Sequence, residues 1–165
     1  MKLKKIIPIS LIVILLYSCS KATYTPTPAV ESFPDIGVPL TTNSLEITAP
    51  AGWNTFRTSK PITLMLRDIS DQQITINSET GIKIFALTMN KWAEVNNQVT
   101  YETPEFTLAP DPDSDPTKLG GTGLFPDLTN YPGVSKIRIV IIVKLGGEQQ
   151  GTSQVAAYLD LVLHP

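Results

Sequence analysis

KIRIVIIVKL, residues Lys136 to Leu145, and QVAAYLDLVL, residues Gln154 to Leu163, each carry an apolar side chain at every odd position. These are Ile137, Ile139, Ile141, Val143 and Leu145 in the first stretch, and Val155, Ala157, Leu159, Leu161 and Leu163 in the second. A period of two marks an extended strand with one face buried, because successive side chains point to opposite sides of the backbone. Joined through Gly146 to Thr152, the two stretches predict a hairpin whose odd faces form one wall of a core. Lys136, Arg138 and Lys144 break the apolar run and are expected to guard it against edge pairing.

Upstream the same period recurs in shorter pieces, and no convincing helical period appears. Strands are predicted at Leu45–Thr48, Ile62–Asp68, Ile74–Asn77, Ile82–Met89, Lys91–Val95, Val99–Tyr101 and Phe106–Leu108. The run Ile82–Met89 is apolar on both faces apart from Lys83, which predicts a central strand. Ala49 to Ser59, with Pro50, Gly52 and Trp53, reads as a loop. Asp71-Gln72-Gln73, Ser78 to Gly81 and Asn96-Asn97 read as turns.

Seven to nine short strands at this spacing predict an all-β, two-sheet sandwich occupying residues 41–165 as a single domain. The pattern resembles the immunoglobulin-like domains of bacterial surface proteins, from Thr41 to Pro165. That resemblance implies a fold and carries no activity; the Cys-Trp-Cys signature of antibody domains is absent.

At the other end of the chain, Lys2, Lys4 and Lys5 precede an apolar run from Ile6 to Tyr17. The run is shorter than the roughly 20 residues a spanning helix requires, and it reads as a signal peptide over residues 1–18. Leu16-Tyr17-Ser18-Cys19 follows, with small or polar residues behind it. This stretch resembles a bacterial lipobox: Leu16 and Ser18 fit, and Tyr17 is bulkier than usual. The resemblance implies that Cys19 takes a diacylglycerol and that the precursor is cut ahead of it. The chain is then expected to be a membrane lipoprotein of the bacterial cell envelope, its domain extracytoplasmic and its lipid partner the bilayer itself. Residues 19–40, rich in Thr, Ser, Ala and Pro, read as a tether. In a polyproline conformation some twenty residues reach roughly 60 Å. Ile36 to Leu40 is the part of it that could pack as an edge strand.

Cleavage ahead of Cys19 removes 18 of the 165 residues and leaves 147, the size of one domain plus a tether. The whole chain has 13 basic and 15 acidic side chains. Loss of three lysines with the signal leaves ten basic residues, a mildly acidic surface with no clustered cationic face, which argues against nucleic acid as a partner. The one cysteine is committed to lipid, so the fold rests on its core alone.

The same scarcity limits chemistry. With a single histidine, His164, and no spare cysteine, neither a Ser-His-Asp or Cys-His nucleophile system nor a His-based zinc site can be assembled in the usual way. No cofactor motif is present; Gly120-Gly121-Thr122-Gly123 lacks a following helix to hold a phosphate. Asp111-Pro112-Asp113-Ser114-Asp115 alternates carboxylates as calcium loops do at their start. However, Pro116 stands where a glycine is needed and Thr122 where a bidentate glutamate belongs. A solvated acidic loop is expected of Asp111, Asp113 and Asp115, with a weak, adventitious calcium site as the alternative.

Ala109 to Ser135 is long for a sandwich connection and holds five prolines and four glycines. It suits a partly preorganised recognition loop; the competing account is an excursion that covers an open end of the core. Trp53, Phe125 and Tyr131 are the candidate contact residues, because loop aromatics stack on sugars and anchor protein interfaces. Trp92, inside a strand, is expected to be packed. The function these features favour is a non-catalytic module that binds a protein or glycan. The alternatives are an envelope polysaccharide hydrolase built on two carboxylates and a structural accessory subunit of an envelope complex.

Overall fold

The computed structural model describes residues 32–164 apart from 42, 51–53, 100, 102, 112, 114, 120–122 and 147–152. The signal peptide, Leu16 to Cys19, the tether up to Glu31 and Trp53 lie outside the described residues. Among the described residues ten strands form two sheets: β1 (Leu45–Thr48), β2 (Thr55–Phe56), β3 (Met65–Asp68), β4 (Ile74–Asn77), β5 (Ile82–Thr88), β6 (Lys91–Val95), β7 (Glu105–Leu108), β8 (Thr117–Lys118), β9 (Lys136–Leu145) and β10 (Ser153–Leu163). One sheet has the order β1-β3-β8. The other has seven strands, β2-β10-β9-β4-β7, with β5 also on β9 and β6 on β5. Among the described residues there is no helix.

The hairpin β9–β10 forms as its alternation predicts, in register from Ser153↔Leu145 to Val162↔Lys136. Ile137, Ile139, Ile141, Val143 and Leu161 are fully buried, facing Leu45, Leu64, Leu66 and Leu124 from the other side of the core. β9 is not an edge, so its cations do not guard one. Its far side is shared, with β5 running along Lys136 to Ile141 and β4 along Lys144 to Leu145.

The expected turn forms at Ser78 to Gly81, but it does not reverse the chain. β4 and β5 both run antiparallel to β9, so the chain steps sideways between them without reversing. The Asn77 side-chain oxygen accepts from Glu79 N, Thr80 N and Thr80 Oγ1, at 3.0, 2.8 and 2.9 Å. Gly81 N closes the step on Asn77 O, and Gly81 O receives Ile142 N. A Cβ at Gly81 would stand 2.6 Å from Asn77 O and 3.0 Å from Ile142 O, so the step requires glycine.

Two further expectations are corrected, and the long segment takes part in the core. Of the strand expected at Val99–Tyr101, Val99 and Tyr101 lie in no strand and Thr100 is outside the described residues; Asn97 occupies Val99 N and O through its own side chain and competes with ladder pairing. The loop read over Ala49–Ser59 contains β2, which lies parallel to the end of β10. The segment Ala109–Ser135 contains β8 and contributes Leu119, Leu124 and Val134 to the core.

The opposite face of the large sheet is also covered. Phe85, Val140 and Ala156 are buried there beneath Phe33, Ile36 and Val38. Thr41 N donates to Ala156 O at 2.8 Å and Ala156 N to Pro39 O at 2.9 Å. Ile36 to Leu40 therefore packs on the sheet, and the contact begins at Phe33, ahead of the boundary expected at Thr41. A sheet covered on both faces explains why β5, and β9 at Val140 and Ile142, are apolar on both.

Candidate functional site

The sideways step between β4 and β5 has a counterpart in the strands that pair with them. β6 pairs with β5 from Ile84↔Val95 to Thr88↔Lys91, and β7 pairs with β4 from Ile74↔Leu108 to Asn77↔Glu105. Between these ladders six residues (78–83) face nine (96–104), so the two chains bow apart. A cleft of about 360 Å³ opens where they part, lined by Glu79, Lys83, Glu94, Asn96, Asn97 and Tyr101 over Ile82, Ile84 and Val95.

Each wall is fixed by backbone chemistry. Ser78 N and Oγ both donate to Pro104 O, at 2.9 and 3.1 Å, which pins one end. Asn97 Oδ1 accepts Phe125 N at 2.8 Å, Gln98 N donates to Phe125 O and Asp127 N to Asn96 O, each within 2.9 Å. Lys83 Nζ stands 3.4 Å from Glu94 Oε1 across the β5–β6 pair. The Tyr101 ring meets Phe106 edge-on at 5.5 Å. Its hydroxyl is shielded and has no hydrogen-bond partner. Burial pushes the phenol up to about 12, and the nearby Asn97 side chain, already engaged with Val99 and Phe125, pulls it back only in part.

Two of the three expected contact residues flank this cleft. Phe125 is half-buried and joined through its backbone to Asn97 and Gln98. Tyr131 is half-buried against the core, and its hydroxyl donates to Glu94 O at 3.0 Å. Trp53 lies outside the described residues. Trp92 packs as expected, edge-on to Phe33 with ring centroids 5.4 Å apart. The cleft's own residues carried one sequence signal, the turn composition at Ser78–Gly81 and Asn96–Asn97. That composition reads as reversal of the chain and conceals two bulges that face each other.

Fold and cleft together define a two-sheet β-sandwich protein with a polar cleft at the break of its longest strand line. Compared with protein-family models, with curated proteins and with solved structures, the chain finds no match in any of the three.

Proposed function

We propose that this chain is a lipid-anchored envelope protein, held in a bilayer through acylated Cys19, whose sandwich binds a hydroxyl-rich ligand such as an envelope glycan without catalysis. The cleft carries the reading. Carboxylates, side-chain amides and one ammonium converge on about 360 Å³, and such groups can exchange the water around sugar hydroxyls for direct hydrogen bonds. Export and anchorage rest on Leu16-Tyr17-Ser18-Cys19 and the lysine-led apolar run before it. Two or more acyl chains, at about 0.8 kcal/mol per buried CH₂, hold far better than one.

The test is retention of envelope polysaccharide fragments on the immobilised protein, for the native chain and for Lys83→Met and Asn96→Ala. Loss of retention with unchanged melting is the expected result; undiminished retention by both variants would remove the cleft from consideration. Replacing Cys19 by Ser should leave the precursor uncut and unacylated.

A second reading has one observation behind it. Glu79 and Glu94 line the same cleft, and two carboxylates are what a glycoside hydrolase requires. The acid of such a pair works from a desolvated site, whereas the Glu94 side chain is 56% exposed beside Lys83. The binding reading is therefore preferred. Release of reducing ends from a polysaccharide, abolished in Glu94→Gln, would reverse that preference.

A further inference from the structure

Five strand ends meet at one end of the large sheet. Leu87 and Val162 both pair with Lys136, where β9 begins. Val162 and Leu163 in turn align with Thr55 and Phe56 of β2, and Thr88 with Lys91 of β6. The turn Met89-Asn90 therefore projects from this end, and so does the stretch from Arg57 to Lys60, which closes with Lys60 N donating to Arg57 O at 3.2 Å. Five strands spaced by about 4.8 Å make the end roughly 20 Å wide.

Strand pairing sorts charge towards it. Arg67, Lys83, Lys136, Arg138 and Lys144 each meet a carboxylate. Arg57, Lys60 and Lys91 are exposed, form no ion pair among the described residues, and all lie at this end. Asp160 and Glu94, in the same half of the sheet, are taken up by Arg138 with Lys136 and by Lys83. Asp71, Asp111 and Asp113 lie at the opposite end, where β4 begins and β7 stops beside Leu145. Along the sequence these cations are scattered, and only the fold brings residues 57, 60 and 91 to one edge.

Apolar side chains stand among them. Four large ones are exposed among the described residues, and two of these, Met89 at 78% and Val162 at 49%, belong to this end. Met89 has φ 48° in a two-residue turn that suits Asn or Gly, so folding does not account for its presence. The N-terminal segment also points this way. From Leu40, paired with Ala156 opposite Ile142, it runs back to Phe33, which lies against Arg138 and Trp92, nearer the start of β9. No more than about 45 Å of extended chain separates Ser32 from Cys19.

We propose that this end of the sandwich rests on an anionic bilayer surface, with Arg57, Lys60 and Lys91 on lipid phosphates and Met89 and Val162 in the headgroup layer. The inference rests on the lipid anchorage proposed above, which keeps the domain within reach of a membrane. Each cation close to an anionic leaflet gains roughly fivefold in affinity. Apolar side chains between the cations add burial in the interface. The end that carries Asp71 and Asp111 then points away from the leaflet, as like charges require.

Hydrogen exchange on the purified full chain tests this, with vesicles of phosphatidylcholine alone or with about 30% phosphatidylglycerol. Anionic vesicles should slow exchange at least about threefold at residues 57–60 and 88–91, and leave residues 71–73 and 109–111 unchanged. The slowing should vanish on phosphatidylcholine, and in the triple variant Arg57→Ser, Lys60→Ser, Lys91→Ser. If that variant does not melt like the native chain, salt decides: slowing of the native chain that survives about 0.5 M sodium chloride overturns the proposal. Equal slowing on both kinds of vesicle, or none on anionic ones, also overturns it. Stronger slowing by duplex DNA at equal phosphate concentration overturns it in favour of nucleic acid. Failure of the anchorage reads out separately, as a chain that does not float with phosphatidylcholine vesicles; slowing by added anionic vesicles would still support the cationic end.

Discussion

Arg138 and Asp160 stand opposite each other on β9 and β10 and meet through two parallel hydrogen bonds, Nε to Oδ1 at 2.6 Å and Nη2 to Oδ2 at 2.9 Å. The guanidinium also lies 4.5 Å from the Phe33 ring centroid, 5.1 Å from that of Trp92 and 4.2 Å from that of Tyr158. One side chain thus joins the central hairpin to the N-terminal segment, through a planar fork and a stacking face that lysine does not possess.

That pair sets an acid limit on stability. Burial pushes the Asp160 carboxyl up, but the hydrogen bonds and charge of Arg138, with help from Lys136, outweigh it and hold the carboxyl below its usual range. A depressed carboxyl contributes stability that is present above its unfolded value and lost as pH falls through the folded one. Asp160→Asn should therefore flatten the acid limb of a plot of melting temperature against pH below about pH 4. At neutral pH it should cost about 1 kcal/mol, the pair being partly open to solvent. Arg138→Lys alone should lose a similar amount although it keeps the charge; native-like stability of that variant would show that charge alone matters.

The N-terminal segment is expected to contribute more than a spacer does. A chain starting at Ile36 lacks Phe33 and its edge-on contacts with Phe85 at 4.8 Å and Trp92 at 5.4 Å. Removing this half-buried ring should cost about 2 kcal/mol, or about 6 °C for a domain of this size. A chain starting at Ser32 should melt like the full one. Equal melting of the two truncations would show that Phe33 lies on the sheet without stabilising it.

The hairpin between β5 and β6 offers an improvement. Its two turn residues, Met89 and Asn90, both have positive φ, 48° and 64°, the geometry of a two-residue turn that favours Asn-Gly. Met89 is exposed and gains no packing to offset its strain. Met89→Asn with Asn90→Gly should raise stability by about 1 kcal/mol in denaturant titration. A loss would mean that the Met89 side chain has a contact in solution.

Much of both sheets was legible beforehand, because their strands alternate. Leu45–Thr48, Ile74–Asn77, Lys91–Val95 and Lys136–Leu145 have the bounds that period two gives them. What remained hidden depends on partners far away in sequence. Thr55–Phe56 and Thr117–Lys118 are two-residue strands that exist only because β10 and β3 present open edges to them. Phe33 gives no signal inside a Pro-rich stretch, since its burial depends on Phe85, Trp92 and Arg138. The cleft was hidden for the same reason: turn residues at Ser78–Gly81 and Asn96–Asn97 look alike whether they reverse a chain or offset it. Asp68 reads as the polar end of a strand until the fold closes over it.

Alkaline conditions test the cleft wall. Tyr101 ionises near 12 because burial disfavours its phenolate. The unfolded chain loses this proton near 10. A raised value contributes stability that is complete below about pH 10 and is lost as pH rises towards 12. Stability of the native protein should therefore fall over that interval, and Tyr101→Phe should fall less. Absorbance at the phenolate band should show a late-titrating component that is missing from Tyr101→Phe. If all tyrosines of the native protein titrate together near 10 while it remains folded, the hydroxyl is open to water.

Replacing Asp113 to Gly123 by a short Gly-Ser linker separates the two accounts of the long segment. The replacement removes β8, whose Thr117 and Lys118 pair with Leu66 and Met65. It also removes Leu119, buried at 3% exposure with its backbone N donating to Leu64 O at 2.9 Å. Gly123 goes as well; it has φ +77°, and a Cβ there would approach Ile62 O to 2.7 Å. A buried leucine alone is worth about 2–5 kcal/mol against truncation, and the open edge of the three-stranded sheet adds to that. Melting should accordingly fall by more than about 10 °C. Leu124→Ala, which leaves the loop's length and charge intact and empties one fully buried position, should fall by a similar amount. Unchanged melting after the replacement, together with lost ligand retention, would instead make the segment a recognition loop that the core does not need.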